Sequence, residues 1–242
     1  MKYPIFPITT LVAAALAFPL STLAEDTTLA DQLAAKQAEF AASTPDNVKE
    51  AFAAGIEAVA ESGIIDKAIN VGDKAPPFTL KNATGKEVSL ASLLEQGPVV
   101  LTWYRGGWCP YCNIQLIALQ DALPQIKAEG AQLVALTPEL PDKSLTTKEK
   151  DNLEYEILSD VGMKVADEYH IIFKLTPEVT EMYKGFFDLK EYNGPDAAYD
   201  ELPLAATYII QPDGTVSWAY LNADYRQRAE PADIVAALKA VE

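Results

Sequence analysis

From Val99 to Tyr104 the chain is an unbroken run of β-branched, aromatic and aliphatic residues, bounded by Pro98 before it and Gly106-Gly107 after it. A strand with one face in water alternates apolar and polar side chains; this run does not, so both of its faces must be covered. That requirement confines the chain to architectures with helices packed on both sides of a sheet. The flanking periodicities supply them. Residues 110–129 read as a helix with Ile114, Leu116, Ile117, Leu119 and Leu123 facing inward and a kink at Pro124. Residues 131–137 read as a second buried strand, 156–158 as a short strand and 161–169 as a helix. Residues 205–211 form a strand that turns at Pro212-Asp213-Gly214 into 215–221, and an amphipathic helix closes the chain over 231–241. The order predicts an α/β fold, a three-layer sandwich around a mixed central sheet. Residues 176–202, rich in aromatics (Tyr183, Phe186, Phe187, Tyr192, Tyr199), are expected to form an irregular insertion at one end of the sheet.

Ahead of this domain, residues 25–70 are Ala-rich and helical in texture. Leu29, Leu33, Ala34, Gln37 and Phe40 form one apolar stripe, and Val48, Phe52, Ile56 and Val59 a second. Ser43-Thr44-Pro45-Asp46 separates them and Ser62-Gly63 ends the second. The stripes are open to docking on the main domain, residues 71–242, or to pairing two copies as a homodimer. Residues 1–24 have the texture of a signal peptide: Lys2, an apolar run from Ile8 to Leu20, then small residues at Thr22 and Ala24. The run is short for a bilayer span. An uncleaved N-terminal anchor stays open as the alternative; the expected location is periplasmic or secreted.

With 19 Lys+Arg against 35 Asp+Glu, the formal charge is −16. Nucleic acid and anionic membranes need clustered cations and are excluded as partners on that ground. The two cysteines, Cys109 and Cys112, are too few for a disulfide-stapled secreted fold. A bridge between residues three apart closes a minimal loop and restrains little of the unfolded chain. That spacing suits a bond that opens and closes.

The pair falls where the buried strand gives way to a helix, the position at which α/β folds place their sites. Gly106-Gly107 lets the chain bend, and Pro110 suits the first turn of the helix. Cys109 then lies at the helix N-terminus, where free amides and the helix dipole favour thiolate over thiol. Arg105 adds a cation that acts in the same direction. Cys112, one turn on, lies on the same face and is expected to be the less exposed thiol. The pattern predicts an attacking Cys109 and a resolving Cys112. Trp108, Pro110 and Tyr111 are expected to meet substrate or partner.

Residues 71–80 (Val-Gly-Asp-Lys-Ala-Pro-Pro-Phe-Thr-Leu) resemble the opening of peroxiredoxin (AhpC/TSA) domains. Residues 104–113, Tyr-Arg-Gly-Gly-Trp-Cys-Pro-Tyr-Cys-Asn, Leu158-Ser159-Asp160 and residues 207–214 are similar to the same family. The resemblance implies a thioredoxin fold, reduction of hydroperoxides by Cys109, recycling by a thioredoxin-like reductant, and no cofactor. Among proteins of that fold it also implies a cis-proline beside the cysteines, a role that falls to Pro203. The family's Pro seven residues and its Thr or Ser three residues before the peroxidatic cysteine stand here as Thr102 and Gly106, and its late-strand Arg as Ala205. Arg105 is the available stand-in. The Cys-Pro-Tyr-Cys core is similar to glutaredoxin sites too.

Other readings stay open beside this one. An exported thiol-disulfide oxidoreductase would use the same two thiols on protein disulfides, and a binding protein would keep them bridged. Zinc would need ligands beyond the pair, and the single histidine, His170, offers one at most. The aromatics of residues 183–199 serve either as a groove or as packing, and Tyr225-Arg226-Gln227-Arg228 as a site contact or a solvated loop.

Overall fold

The run from Val99 becomes the centre of the sheet. In a computed structural model, which describes residues 27–240, all five residues of its strand are buried. The extension comprises α1 (Leu29–Ser43), α2 (Asp46–Glu61) and the short α3 (Ile64–Lys67). The main domain follows as β1 (Thr79–Asn82), β2 (Glu87–Ser89), α4 (Leu90–Leu94), β3 (Val99–Trp103), α5 (Pro110–Ala128), β4 (Gln132–Thr137), α6 (Pro141–Lys150), β5 (Glu156–Ser159) and α7 (Lys164–Glu168). It continues as β6 (Ile172–Lys174), α8 (Pro177–Phe186), α9 (Leu189–Asn193), β7 (Glu201–Pro203), β8 (Thr207–Ile210), β9 (Val216–Tyr220) and α10 (Pro231–Lys239). The expected signal peptide lies outside the described residues.

Seven strands form one mixed sheet in the order β2-β1-β5-β4-β3-β8-β9. β3, β4 and β5 are parallel; β8 joins β3 antiparallel, and β1 closes the other side on β5. Alternate residues of β3 feed two cores. Val100, with Tyr104 just beyond the strand, packs with Leu116, Leu119 and Ile126 of α5 and with Ile234 and Leu238 of α10. Val99, Leu101 and Trp103 pack on the other face with Val165, Tyr169, Tyr183 and Val59. Helices thus cover both sides, as a strand without alternation requires.

The extension docks on its own domain. Thr28 and Asp31 form a capping box that starts α1. Leu29 and Leu33 are buried in the α5 core, and the Ala30 amide donates to Glu230 Oε1 at 2.6 Å. Phe52 of α2 meets the Tyr183 ring at 5.8 Å.

Three expectations need correction. Residues 176–202 are not irregular: they hold α8, α9 and β7, with Thr176 capping α8 and Pro177 in its first turn. β7 pairs with β6 in a separate two-stranded sheet. Ile117 does not face inward but is 42% exposed on α5. Pro203 is not a cis-proline, since no peptide bond among the described residues is cis. It ends β7 opposite Ile172, an edge position where its missing N–H costs no ladder bond.

Candidate active site

The chain leaves β3 at Trp103 and must reach the start of α5 within six residues. Gly106 makes this possible. Its φ is +153°, and a β-carbon there would lie 2.1 Å from Trp108 Nε1, so a Thr or Ser at this position would evict the tryptophan. Gly107 donates its N–H to Glu139 Oε1 at 3.0 Å. Asn113 ties the turn to the helix by donating to the Gly107 carbonyl at 2.9 Å.

Cys109 is the N-cap of α5 and Pro110 its first residue. The amides of Cys112 and Asn113 donate to the Cys109 carbonyl at 3.1 Å each. The Cys109 side chain makes no cap bond to the helix; its sulfur instead accepts from Arg105 Nη2 at 3.1 Å. The Arg105 guanidinium is itself buried. Its Nη1 donates to Tyr183 Oη at 3.0 Å, and it lies 3.8 Å from the centre of the Tyr225 ring and 5.3 Å from that of Trp108. Cys112 is three residues deeper, and its sulfur accepts from Arg228 Nη2 at 3.3 Å. Both thiols are free and fully buried, so Cys112 is not the less exposed of the two.

Two cations and two thiols, with no carboxylate among the described residues bonded to either arginine, divide the thiols' acidities. Burial alone pushes Cys109 up; the hydrogen bond from the Cys112 thiol and the charges of Arg105 and Arg228 outweigh it and hold Cys109 well below the ordinary thiol range. Burial, the hydrogen bond to Cys109 and the Cys109 charge all push Cys112 well above that range. The same surroundings thus favour the thiolate at Cys109 and the thiol at Cys112.

Glu139, 1% exposed, stands behind the turn. Burial raises its carboxyl to about 7 against the hydrogen bond from the Gly107 amide that lowers it. In front, Trp108 stacks on Phe187 at 4.5 Å. An apolar groove of about 420 Å³ runs up to Arg105 between Trp108, Tyr111 and Phe186 on one side and Phe40, Val48 and Phe52 of the extension on the other. Such a volume with mostly aromatic walls and one buried cation has the character of a small-molecule site.

The structure therefore gathers Arg105, Trp108, Cys109, Pro110, Tyr111 and Cys112 into one site; Pro203 sits on β7 in the two-stranded sheet and does not line the groove. His170 is exposed at the end of α7, with a positive φ of +57°, and bonds neither cysteine. Tyr183, Tyr225 and Arg228 join the site from segments whose roles the sequence left open. Glu139 carries no sequence signal at all.

The AhpC/TSA family model matches residues 71–219. A chloroplastic peroxiredoxin Q of Sedum lineare is 29% identical over 154 residues, 64% of this chain and 70% of that one. Its counterpart from Triticum aestivum is 29% identical over 163 residues, 67% of this chain and 64% of the relative. Against a peroxiredoxin Q of Gentiana triflora the chain spans 60% of the length, and against that of Arabidopsis thaliana 63%. Among solved structures, peroxidoxin BcpB from Mycobacterium tuberculosis superposes with a TM-score of 0.56 at 21% identity, covering 72% of this chain and 99% of that one. At that identity the likeness is one of fold. The extension and the loop that carries Tyr225 and Arg228 lie outside the matched residues.

Proposed function

Because the chain belongs to the AhpC/TSA family, we propose that it is a thiol peroxidase in which Cys109 attacks hydroperoxides, Cys112 resolves the product and a thioredoxin-like protein restores the thiols. The observation that carries this reading is the 3.1 Å bond from Arg105 to a buried Cys109 sulfur beside a protonated second thiol. The Cys109 thiolate attacks one peroxide oxygen; the O–O bond breaks, the other oxygen leaves as water or alcohol after taking a proton, and Cys109 becomes a sulfenic acid. Arg105 holds the nucleophile and offers its charge to the oxygen on which negative charge develops, the task of the hydroxyl that Gly106 lacks. Cys112 then displaces hydroxide from Cys109 to give the disulfide, which the reductant reopens by thiol exchange.

The groove supports a substrate with an apolar body, an organic hydroperoxide, laid between the extension and Phe186 with its peroxide end at Arg105. The Lys2 and Ile8–Leu20 pattern supports export. The test is peroxide consumption by the reduced protein with a thioredoxin-type reductant, alongside insulin reduction. Cys109→Ser is expected to abolish consumption, and Cys112→Ser to stall after one turnover with a trappable sulfenic acid. Peroxide loss that survives Cys109→Ser, or insulin reduction faster than peroxide loss, overturns the reading in favour of another chemistry.

A further inference from the structure

The peroxidase reading leaves one buried cation without a task. Arg228 lies in the loop between β9 and α10, 5% exposed, with Nη2 at 3.3 Å from Cys112 Sγ. Its Nε and Nη1 have no partner, and no carboxylate among the described residues pairs with it. The loop's structural arginine is its neighbour: Arg226 grips Asp224 with two side-chain bonds of 2.8 Å. A buried guanidinium with no anion is costly to keep. The Asp224 carboxylate also feels the charge of Arg228 but is bonded by Arg226, so the anion within bonding distance of Arg228 comes from the sulfurs.

We propose that Arg228 is a catalytic residue of the resolving step, where it stabilises the Cys112 thiolate that attacks the Cys109 sulfenic acid. The inference rests on the peroxidase reading but concerns a residue beyond the 71–219 segment the family model matches. In the reduced site one negative charge resides on Cys109, and that charge helps keep Cys112 protonated. Once Cys109 carries the peroxide oxygen, the charge is gone. Arg105 and Arg228, the charged groups that act on Cys112, then lose the anion they share at the sulfurs; Asp224, whose carboxylate also feels the charge of Arg228, is bonded by Arg226, and Cys112 is the acid left between the two guanidiniums. Its proton departs and its thiolate attacks Cys109 Sγ. The S–S bond forms, the S–O bond breaks, and hydroxide leaves and takes up the proton as water. Cys112 sulfur is oxidised by the amount that Cys109 sulfur is reduced, so no other reactant is needed.

Two measurements test this separately from the peroxidase reading. In Cys109→Ser, where no second thiolate competes, ultraviolet absorbance of the thiolate titrates Cys112. Adding Arg228→Met is expected to raise the midpoint by about one pH unit, a tenfold loss of thiolate below it, and Arg228→Lys to recover part of the shift. An unmoved midpoint overturns the proposal, whatever the protein does with peroxide. If Arg228→Met fails to fold by circular dichroism, Arg228→Gln takes its place with the same expectation. In the protein with both cysteines, stopped-flow tryptophan fluorescence follows oxidation, whose rate scales with peroxide, and then disulfide closure, whose rate does not. Arg228→Met should slow closure about tenfold more than oxidation. Equal slowing of both phases, or slowing of oxidation alone, overturns the proposal. Absence of any peroxide-dependent phase in the parent protein instead sinks the peroxidase reading and leaves the titration to decide the role of Arg228 in Cys112 ionisation.

Discussion

At the residue scale, the site is governed by how few groups share its charge. Arg105 touches Cys109 directly, so Arg105→Met is expected to slow the peroxide reaction by about a hundredfold, the usual cost of removing one donor aimed at developing charge. The pH profile should move with it. A thiolate held below the ordinary range keeps the rate flat near neutrality and loses it as pH falls through the Cys109 pKa; without Arg105 that fall begins at higher pH, and a stopped-flow rate series shows it. Glu139 behaves oppositely. Its folded pKa, about 7, lies above that of an exposed glutamate, so the fold is favoured at low pH and loses stability as pH rises towards 7. Glu139→Gln keeps an acceptor for the Gly107 amide and removes the buried charge. Urea unfolding should find it more stable than the parent by about 3 kcal/mol at pH 8, with little difference at pH 5; equal stability at both would remove Glu139 as the titrating group. The cysteines, Arg105 and their helix start were legible because their chemistry is local in sequence. Arg228 was not, because 116 residues separate it from Cys112 and only the fold closes that gap.

At the scale of elements, strand β3 and helix α5 could be read from pattern alone, since one lacks alternation and the other repeats every three to four residues. β6 and β7 could not: three residues each, they are strands only because they pair with one another. α8 had its signal in Thr176-Pro177, a cap and first-turn pair, which the density of aromatics after it obscured. The extension does more than decorate the domain. Leu33→Ala should destabilise the protein by about 3 kcal/mol, because α1 buries that side chain on the face of α5 that begins at Cys109. Across the groove, Phe186 is 66% exposed and lines it. Phe186→Asp should leave stability within about 0.5 kcal/mol. It should raise KM for a bulky organic hydroperoxide about tenfold more than KM for hydrogen peroxide; steady-state kinetics with both substrates decide whether the groove selects them.

For the whole molecule, the three-layer frame holds two arginines from distant segments over one turn of helix, with 19 cations in a chain of net charge −16. The placement of scarce positive charge inside, against sulfur, is a property of the assembled fold, which is why the acidic composition of the chain concealed a cationic site. It also decides which way electrons run. The thiolate is the anion that satisfies Arg105 and Arg228, so the protein is better accommodated with its sulfurs reduced than bridged. Closing the disulfide removes that anion, and a loop of this size returns only about 2 kcal/mol of chain entropy. The reduced protein should therefore melt above the oxidised one, by about 5 °C in a calorimetric scan. Each tenfold gain in thiolate stability makes the disulfide more oxidising by about 30 mV. The two buried guanidiniums thus bias the reduction potential of the site upward, towards the armed thiolate and away from the bridge.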